Sequence, residues 1–374
     1  MGPGWRVGRV AGIDLAIHPS WLVIAFLLTF SLAAQFARQF PGWAESAYWF
    51  VAGATSVLFF ASVLGHELCH ALVARRFGLK VESISMFIFG GVTTIDQDSR
   101  SPREEALIAL AGPAASILIG LGLLGLDLVV DQPQAAALFG WLGYINLALG
   151  AFNLIPGFPM DGGRVLRALI WRARGDRLAA TRNAAVVGRG FGYLLIVLGV
   201  FFALQPGSSP VSGIWLALIG WFLSNAAEST IAQVTLERSL SGMRVRDAMD
   251  VDPASVSPNV PVAQLVEEHM LRGEDRSFLV RHEDGGLAGV VTLDDARRLP
   301  RDHWADARVT DIMTRYGDLA TIGPDAPLLD ALRLIQEREV GQLPVIDGDG
   351  RHPVGLVTRR GILRLIEART KLGV

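Results

Sequence analysis

Cysteine and lysine are almost missing from this chain of 374 residues: one cysteine, Cys69, and two lysines, Lys80 and Lys371, in a basic set that is otherwise all arginine. A lone cysteine excludes an internal disulfide. The arginine bias points to a GC-rich bacterial genome. Net charge is lacking too, at -2, and no nucleic-acid partner is expected. No cleavable signal peptide is expected either, because the first apolar run is long and carries no small-residue cleavage pattern.

What is present is apolar. Hydrophobic residues make up 51% of the chain and the mean hydropathy is positive, which is too apolar for an ordinary soluble protein, while the length allows two domains. Long apolar runs lie near 19–37, 47–74, 104–128, 136–155, 188–204 and 212–232. Each is close to the roughly 20 residues that cross about 30 Å of hydrocarbon, so six membrane crossings are predicted. Eight of the nine tryptophans precede residue 222, and Trp21, Trp49, Trp141 and Trp215 flank these runs, where an amphipathic ring suits the headgroup layer. Beyond about residue 240 the chain turns charged and alternates strand and helix patterns.

Loop charge orients the crossings, because retained loops carry the basic excess. Arg6 and Arg9 precede the first run. Arg75, Arg76, Lys80, Arg100 and Arg103 join the second to the third, and Arg164, Arg167, Arg172, Arg174, Arg177, Arg182 and Arg189 join the fourth to the fifth. The opposite loops DLVVDQPQ and QPGSSPVSG hold no basic residue, and ARQFPGWAES holds one arginine. Both termini are therefore expected in the cytoplasm.

The second run contains LGHELCHALVARRFG, residues 64–78. On a helix, His66 and His70 project from one face with Glu67 beside them, the H-E-x-x-H arrangement that binds zinc next to a general base. Ionisable groups inside a crossing are costly and point to function; the alternative is a histidine pair satisfied by neighbouring helices. Catalytic zinc takes three protein ligands and keeps a water position. Apart from His18, at the start of the first crossing, the remaining histidines (His269, His282, His303, His352) lie in the polar C-terminal part. A carboxylate is then the expected third donor, and Asp161 in NLIPGFPMDGGR, residues 153–164, is the best placed. There Pro156, Gly157, Pro159, Gly162 and Gly163 open the backbone at membrane depth, which is tolerated where it lines a wet cavity or is buried in protein; a plain loop at a helix end is the other reading. His18 is expected to cap the first crossing or to sit at a cavity mouth. Cys69 is expected to be a small apolar filler turned away from His70.

HELCH in one crossing, GPAAS at 112–116 opening another and NLIPGFPMDGG ending the next resemble, in that order, the site-2 protease family of intramembrane zinc metalloproteases. The resemblance covers roughly residues 5–232. It implies an α-helical polytopic membrane domain, residues 1–238, holding one Zn2+ per chain, with His66, His70 and Asp161 as ligands and Glu67 as catalytic base. It also gives Asn153 a role in positioning the scissile carbonyl and places the site in the cytoplasmic half of the bilayer. The strand-like segment SISMFIFGGVTTID, 83–96, with its Gly90–Gly91 pair, corresponds to a membrane-associated hairpin or re-entrant strand of the family. An extended substrate could add to it as a further strand; a hairpin with no substrate role is the alternative.

Residues 243–374 contain an internal repeat, about 243–300 and 306–370. MRVRDAMDVDPASVSPNVPVAQLVEEHM parallels ARVTDIMTRYGDLATIGPDAPLLDALRLIQE, and FLVRHEDGGLAGVVTLDDARRL parallels LPVIDGDGRHPVGLVTRRGILRLI. This resembles a tandem CBS pair, or Bateman module, an α/β domain expected in the cytoplasm. Such pairs commonly bind adenine nucleotides (ATP, ADP or AMP) through Gly-x-x-[Ser/Thr]-x-x-Asp. Gly289, Thr292 and Asp295 satisfy that pattern, whereas the second copy has Gly355 and Thr358 but Gly361 in place of the aspartate. Homo-oligomerisation through the CBS pair is expected, and a dimerisation scaffold without ligand is the alternative.

The expected protein is thus a multi-pass metalloendopeptidase of a bacterial cell membrane with a nucleotide-sensing module. Its substrate would be a protein embedded in the same bilayer, such as a membrane-tethered transcription regulator or an anti-sigma factor. A CBS-regulated transporter or channel, and a catalytically silent membrane scaffold, are the competing classes. Neither requires Glu67 together with three ligands.

Overall fold

The computed structural model describes residues 4–87, 90–95, 99–206, 210–272, 276–348 and 350–372. They form two compact units, 1–234 and 235–374. The first contains β1 (Trp5–Val10), β2 (Ile13–Ile17), α1 (Ser20–Gln39), α2 (Glu45–Arg76), β3 (Val81–Phe87), β4 (Gly90–Ile95), α3 (Pro102–Asp127), α4 (Pro133–Asn153), α5 (Asp161–Arg174), α6 (Arg177–Leu204) and most of α7 (Pro210–Leu240).

Six of these helices, α1 to α4, α6 and α7, are long and apolar enough to cross a membrane, and they coincide with the six apolar runs of the sequence. Their outward faces expose Phe26, Phe50, Leu118, Val197 and Trp215, surface that lipid solvates and water does not. The chain is a multi-pass membrane protein. Polar signals set several helix starts. Ser101 accepts the Glu104 N–H before Pro102 opens α3, and Asp176 accepts the Ala179 N–H before α6, each satisfying a backbone donor that has no partner within the helix. α6 consequently begins at Arg177, so Arg177, Arg182 and Arg189, read from the sequence as loop charges, are helical.

Three further features depart from the sequence reading. The segment before the first crossing is a β-hairpin turning at Ala11 and Gly12, both at positive φ. It joins β3 and β4 in a sheet ordered β1-β2-β3-β4, with β2 and β3 parallel. GPAAS does not open a crossing but lies in the middle of α3, with Pro113 inside the helix. The basic segment after Asp161 is not a loop but the amphipathic helix α5, which buries Gly162, Gly163 and Ala168. The sheet rests on the C-terminal half of α2, where Ile13 and Ile84 meet Ala71 in a core that Leu64 and Leu68 border. Along β4, Gly91, Thr93 and Ile95 are half-buried and Val92 and Thr94 exposed, the alternation of a strand with one covered face. Ile88, Phe89 and Asp96 of the strand-like segment lie outside the described residues.

The second unit receives the end of α7 and continues with β5 (Ser255–Val256), α8 (Val262–Gln264, running into a π-helical turn to Met270), β6 (Ser277–Arg281), β7 (Leu287–Thr292) and α9 (Leu293–Arg298). The second copy follows with α10 (Val309–Ile312), β8 (Thr314–Arg315), α11 (Leu328–Glu337), β9 (Gln342–Ile346), β10 (Pro353–Thr358) and α12 (Arg359–Leu372). The lead segment of each sequence copy packs on the other copy's sheet. β8 pairs with β7, and Val309 enters the core of Val262, Leu265 and Phe278. Reciprocally, Asp250 bridges to Leu356, and Leu240, Met243 and Val245 join Leu328, Leu343, Val357 and Ile362.

Candidate metal centre

One helical turn of α2 separates His66 from His70, and both are buried. Asp161, the first residue of α5, brings its carboxylate to the same point. His66 Nε2 lies 3.1 Å and His70 Nε2 3.2 Å from Asp161 Oδ2, and the two Nε2 atoms are 3.2 Å apart. Among the described residues this is the group of three His, Cys, Asp or Glu donors arranged to hold a metal ion.

The remaining ring nitrogens fix which atoms face inward. His70 Nδ1 is 2.6 Å from the Ile108 carbonyl oxygen, which can only accept, so Nδ1 carries the proton and Nε2 presents a lone pair. His66 Nδ1 is 2.9 Å from Ser116 Oγ. When the Ser116 hydroxyl accepts from His66 Nδ1, both Nε2 lone pairs and a carboxylate oxygen converge on one point, an arrangement that a cation relieves. Zinc bonds of about 2.0–2.1 Å at tetrahedral angles set donors about 3.3 Å apart, and the observed triangle fits. α3 permits this by having no side chain at Gly112, where a Cβ would stand 2.2 Å from His70 Nε2 and 2.5 Å from His66 Nε2. Gly112 and Ser116 of GPAAS thus have site roles that the sequence motif alone did not assign.

Asp161 is positioned by the docking of α5 on α3. Glu105, fully buried, accepts from Arg164 Nε at 3.2 Å and from Arg167. The Arg167 guanidinium lies 5.2 Å from the centre of the Phe158 ring. The segment between α4 and α5 is irregular, with Phe158–Pro159 in cis, so the chain is open where the sequence breakers predicted.

Glu67 is half-buried and sits under β4, where Thr93 Oγ1 donates to its Oε2 at 2.8 Å. Gly91 lies against the Glu67 side chain, and Gly90 begins the strand. Asn153 closes α4, half-buried. His18 does cap: its Nδ1 accepts the Ser20 N–H at 3.2 Å at the start of α1. Cys69 is turned from the metal-binding face into an apolar groove of about 640 Å³ that it lines with Leu72, Ala111, Ala115 and Leu118, rather than filling a core. In the second unit, Thr292 and Asp295 meet in a capping box at the start of α9. Thr292 N–H and Oγ1 donate to Asp295 Oδ2 at 2.9 and 2.6 Å, and the Asp295 N–H returns to Oγ1. Thr358 Oγ1 likewise accepts the Gly361 N–H at 3.0 Å, with no carboxylate at 361. Glu105 and Thr93 were not singled out in the sequence; a carboxylate at the edge of an apolar run was the only signal for the first.

Residues 54–132 and 127–198 match peptidase family M50, and residues 245–302 and 309–368 match the CBS domain. A Synechocystis sp. protein named as zinc metalloprotease sll0528 is 33% identical over 97% of this chain and 95% of its own length. Rip3 of Mycobacterium tuberculosis, also named as a zinc metalloprotease, is 34% identical over 96% of this chain and 92% of its own. Among solved structures, a site-2 protease from Methanocaldococcus jannaschii is 29% identical, covering 61% of this chain and 95% of that one with a TM-score of 0.42.

Proposed function

The chain belongs to peptidase family M50, the zinc metalloproteases of the site-2 type, and on that premise we propose that it hydrolyses peptide bonds in or beside the membrane-spanning segments of other proteins, under the control of its CBS pair. The observation that carries this reading is the convergence of His66 Nε2, His70 Nε2 and Asp161 Oδ2 within 3.2 Å of one another, among helices long enough to span a bilayer. Residues 1–238 form the protease domain and 243–374 the regulatory one. The arginine-rich loops orient both termini, and the site end of α2, towards the cytoplasm of a bacterial cell.

His66, His70 and Asp161 would hold one zinc ion per chain. Zinc, when bound, brings the pKa of water towards about 7 and polarises a peptide carbonyl. Glu67 takes the proton of the attacking water and returns it to the leaving amine. Asn153 orients the scissile carbonyl. The outer edge of β4 receives the substrate as an extended strand at Gly90 and Gly91, main chain against main chain. Substrates are then membrane-embedded proteins, with membrane-tethered transcription regulators and anti-sigma factors as the favoured kind. A transporter, a channel or a silent scaffold has no use for Glu67 beside such a triad.

In the CBS pair, Thr292 and Asp295 contact an adenine nucleotide, the hydroxyl near phosphate and the carboxylate on ribose. Pairing between copies of this domain makes the protein a homo-oligomer.

The deciding experiment compares wild-type protein with Glu67→Gln, purified in detergent, for zinc content and for cleavage of a single-span substrate. The variant is expected to keep its zinc and to lose at least about 100-fold in rate, the scale of a general base. Cleavage near the wild-type rate would remove Glu67 from the mechanism. Comparing the membrane proteomes of cells carrying either form then identifies the substrate as the protein that accumulates uncut.

A further inference from the structure

Two inward positions of β4 touch the Glu67 side chain. Thr93 Oγ1 lies 2.8 Å from Glu67 Oε2 and 3.4 Å from its main-chain carbonyl oxygen. Two residues earlier on the same face, Gly91 has no side chain where a Cβ would stand 2.4 Å from Glu67 Cγ and 3.2 Å from Oε1. The strand is held in that register by β3, in which Ile84 pairs with Thr93 and Met86 with Gly91. Ile84 is in turn locked into the core around Ala71, one turn beyond Glu67 on α2. Thr93 therefore reaches Glu67 from a rigid support, and among the described residues it supplies the hydrogen bond made to that carboxylate.

A glutamate on a helix has three rotatable bonds, and its carboxylate wanders unless something holds one oxygen. A base has to lie within hydrogen-bond reach of the proton it takes. A hydroxyl bound to Oε2 fixes the plane of the carboxylate and leaves Oε1 free to accept that proton.

We propose that Thr93 is a positioning residue for Glu67, and that β4 thereby orients the catalytic base from the same strand that presents an edge to the substrate. This rests on the assignment of Glu67 as base under the proposed function. One strand then holds the base on its inner face and the scissile peptide along its edge. The two reactants keep a common reference, and a displacement of about 1 Å between such groups costs up to about 100-fold in rate.

The test uses the full chain in detergent, with cleavage of a self-quenched peptide containing one hydrophobic span and with zinc content measured on the same samples. Thr93→Val preserves shape and removes the hydroxyl, whereas Thr93→Ser keeps the hydroxyl. In Thr93→Val, kcat is expected to fall at least about tenfold, with KM and zinc content within about twofold of wild type. Thr93→Ser is expected to remain within about threefold of wild type. A merely structural role would impair both variants alike and raise KM. Equal impairment of Val and Ser, zinc loss in Thr93→Val, or wild-type kcat in Thr93→Val overturns the proposal. Glu67→Gln in the same assay separates it from the reading on which it rests. A fully active Glu67→Gln removes the base assignment and this role together, whereas an inactive Glu67→Gln beside a fully active Thr93→Val removes the positioning role alone.

Discussion

Gly112 of α3 stands so close to His70 of α2 that a Cβ at 112 would lie 2.2 Å from the ring's Nε2. The ring cannot retreat freely, because its other nitrogen is held 2.6 Å from the Ile108 carbonyl. An added methyl group must then move the His70 ring or the helix. Gly112→Ala is expected to weaken zinc binding by about 10–100-fold, the range seen when the support of a ligand is disturbed. Helix content by circular dichroism should stay unchanged. Competition against a chelator of known affinity measures the loss, and wild-type affinity would mean that α3 gives way instead.

Ser116 supports the other histidine through the 2.9 Å contact with His66 Nδ1. Ser116→Ala leaves His66, His70 and Asp161 in place and frees the His66 ring to turn. It is expected to lose about 10–100-fold in zinc affinity or activity, whereas His66→Ala, His70→Ala and Asp161→Ala each remove one of three donors and should retain no stoichiometric zinc. Metal analysis of the four purified variants ranks them. Zinc retained by Asp161→Ala at full stoichiometry would hand the third position to another group.

The sequence displays what is local. Six apolar runs and a histidine pair four residues apart are patterns within one helix, and they are read without knowing what packs where. Asp161 was legible for a different reason, since prolines and glycines at the end of an apolar run signal an opened backbone. Its supports were hidden because each spans a long loop. Arg164 and Arg167 looked like ordinary loop charges while their partner, Glu105, lies 59 and 62 residues earlier. α5 was overlooked because its arginines break any membrane-length apolar window, although its 14 residues suffice for an amphipathic helix. The β1–β2 hairpin itself is local, but the sheet that it joins is completed only at β3, with Asp14 opposite Ser83. In the CBS pair the repeat is plain, but the exchange of lead segments depends on contacts such as Asp250 with Leu356, which no spacing reveals.

Glu105 is fully buried between two arginines of α5, and removing one partner of a buried ion pair costs about 3–5 kcal/mol. Arg167→Ala is expected to lower the melting temperature in detergent and, because Asp161 begins the same helix, to weaken zinc binding as well. Arg172, exposed on α5, is the control, and its replacement by alanine should change stability by no more than about 0.5 kcal/mol. Equal melting temperatures for the two variants would show that α5 is not held by this pair.

The two CBS copies differ at one decisive position. Thr292 and Asp295 are locked together by hydrogen bonds at the start of α9, while at the start of α12 Thr358 accepts from the Gly361 N–H in the same way but has no carboxylate beside it. One adenine-nucleotide site per chain is expected. A hydrogen bond to a charged group contributes about 1.5–3 kcal/mol, so Asp295→Ala should weaken binding about tenfold or more. Part of that loss comes from the helix cap, which Asp295 also completes, so the loss variant alone does not isolate the ribose contact. Gly361→Asp does. A Cβ at 361 would meet Thr358 Oγ1 at 3.2 Å and the Ala248 carbonyl oxygen at 3.3 Å, close enough to need small shifts and no rebuilding. The variant supplies the missing carboxylate without disturbing the first site. Calorimetry of the full chain in detergent with ATP, ADP and AMP should show the stoichiometry rise from one to two per chain in Gly361→Asp. It should return to one when Asp295→Ala is added. Two sites in the wild-type protein would mean that the carboxylate at 295 does not distinguish the copies, and no binding by any of the three nucleotides would reduce the pair to an assembly surface.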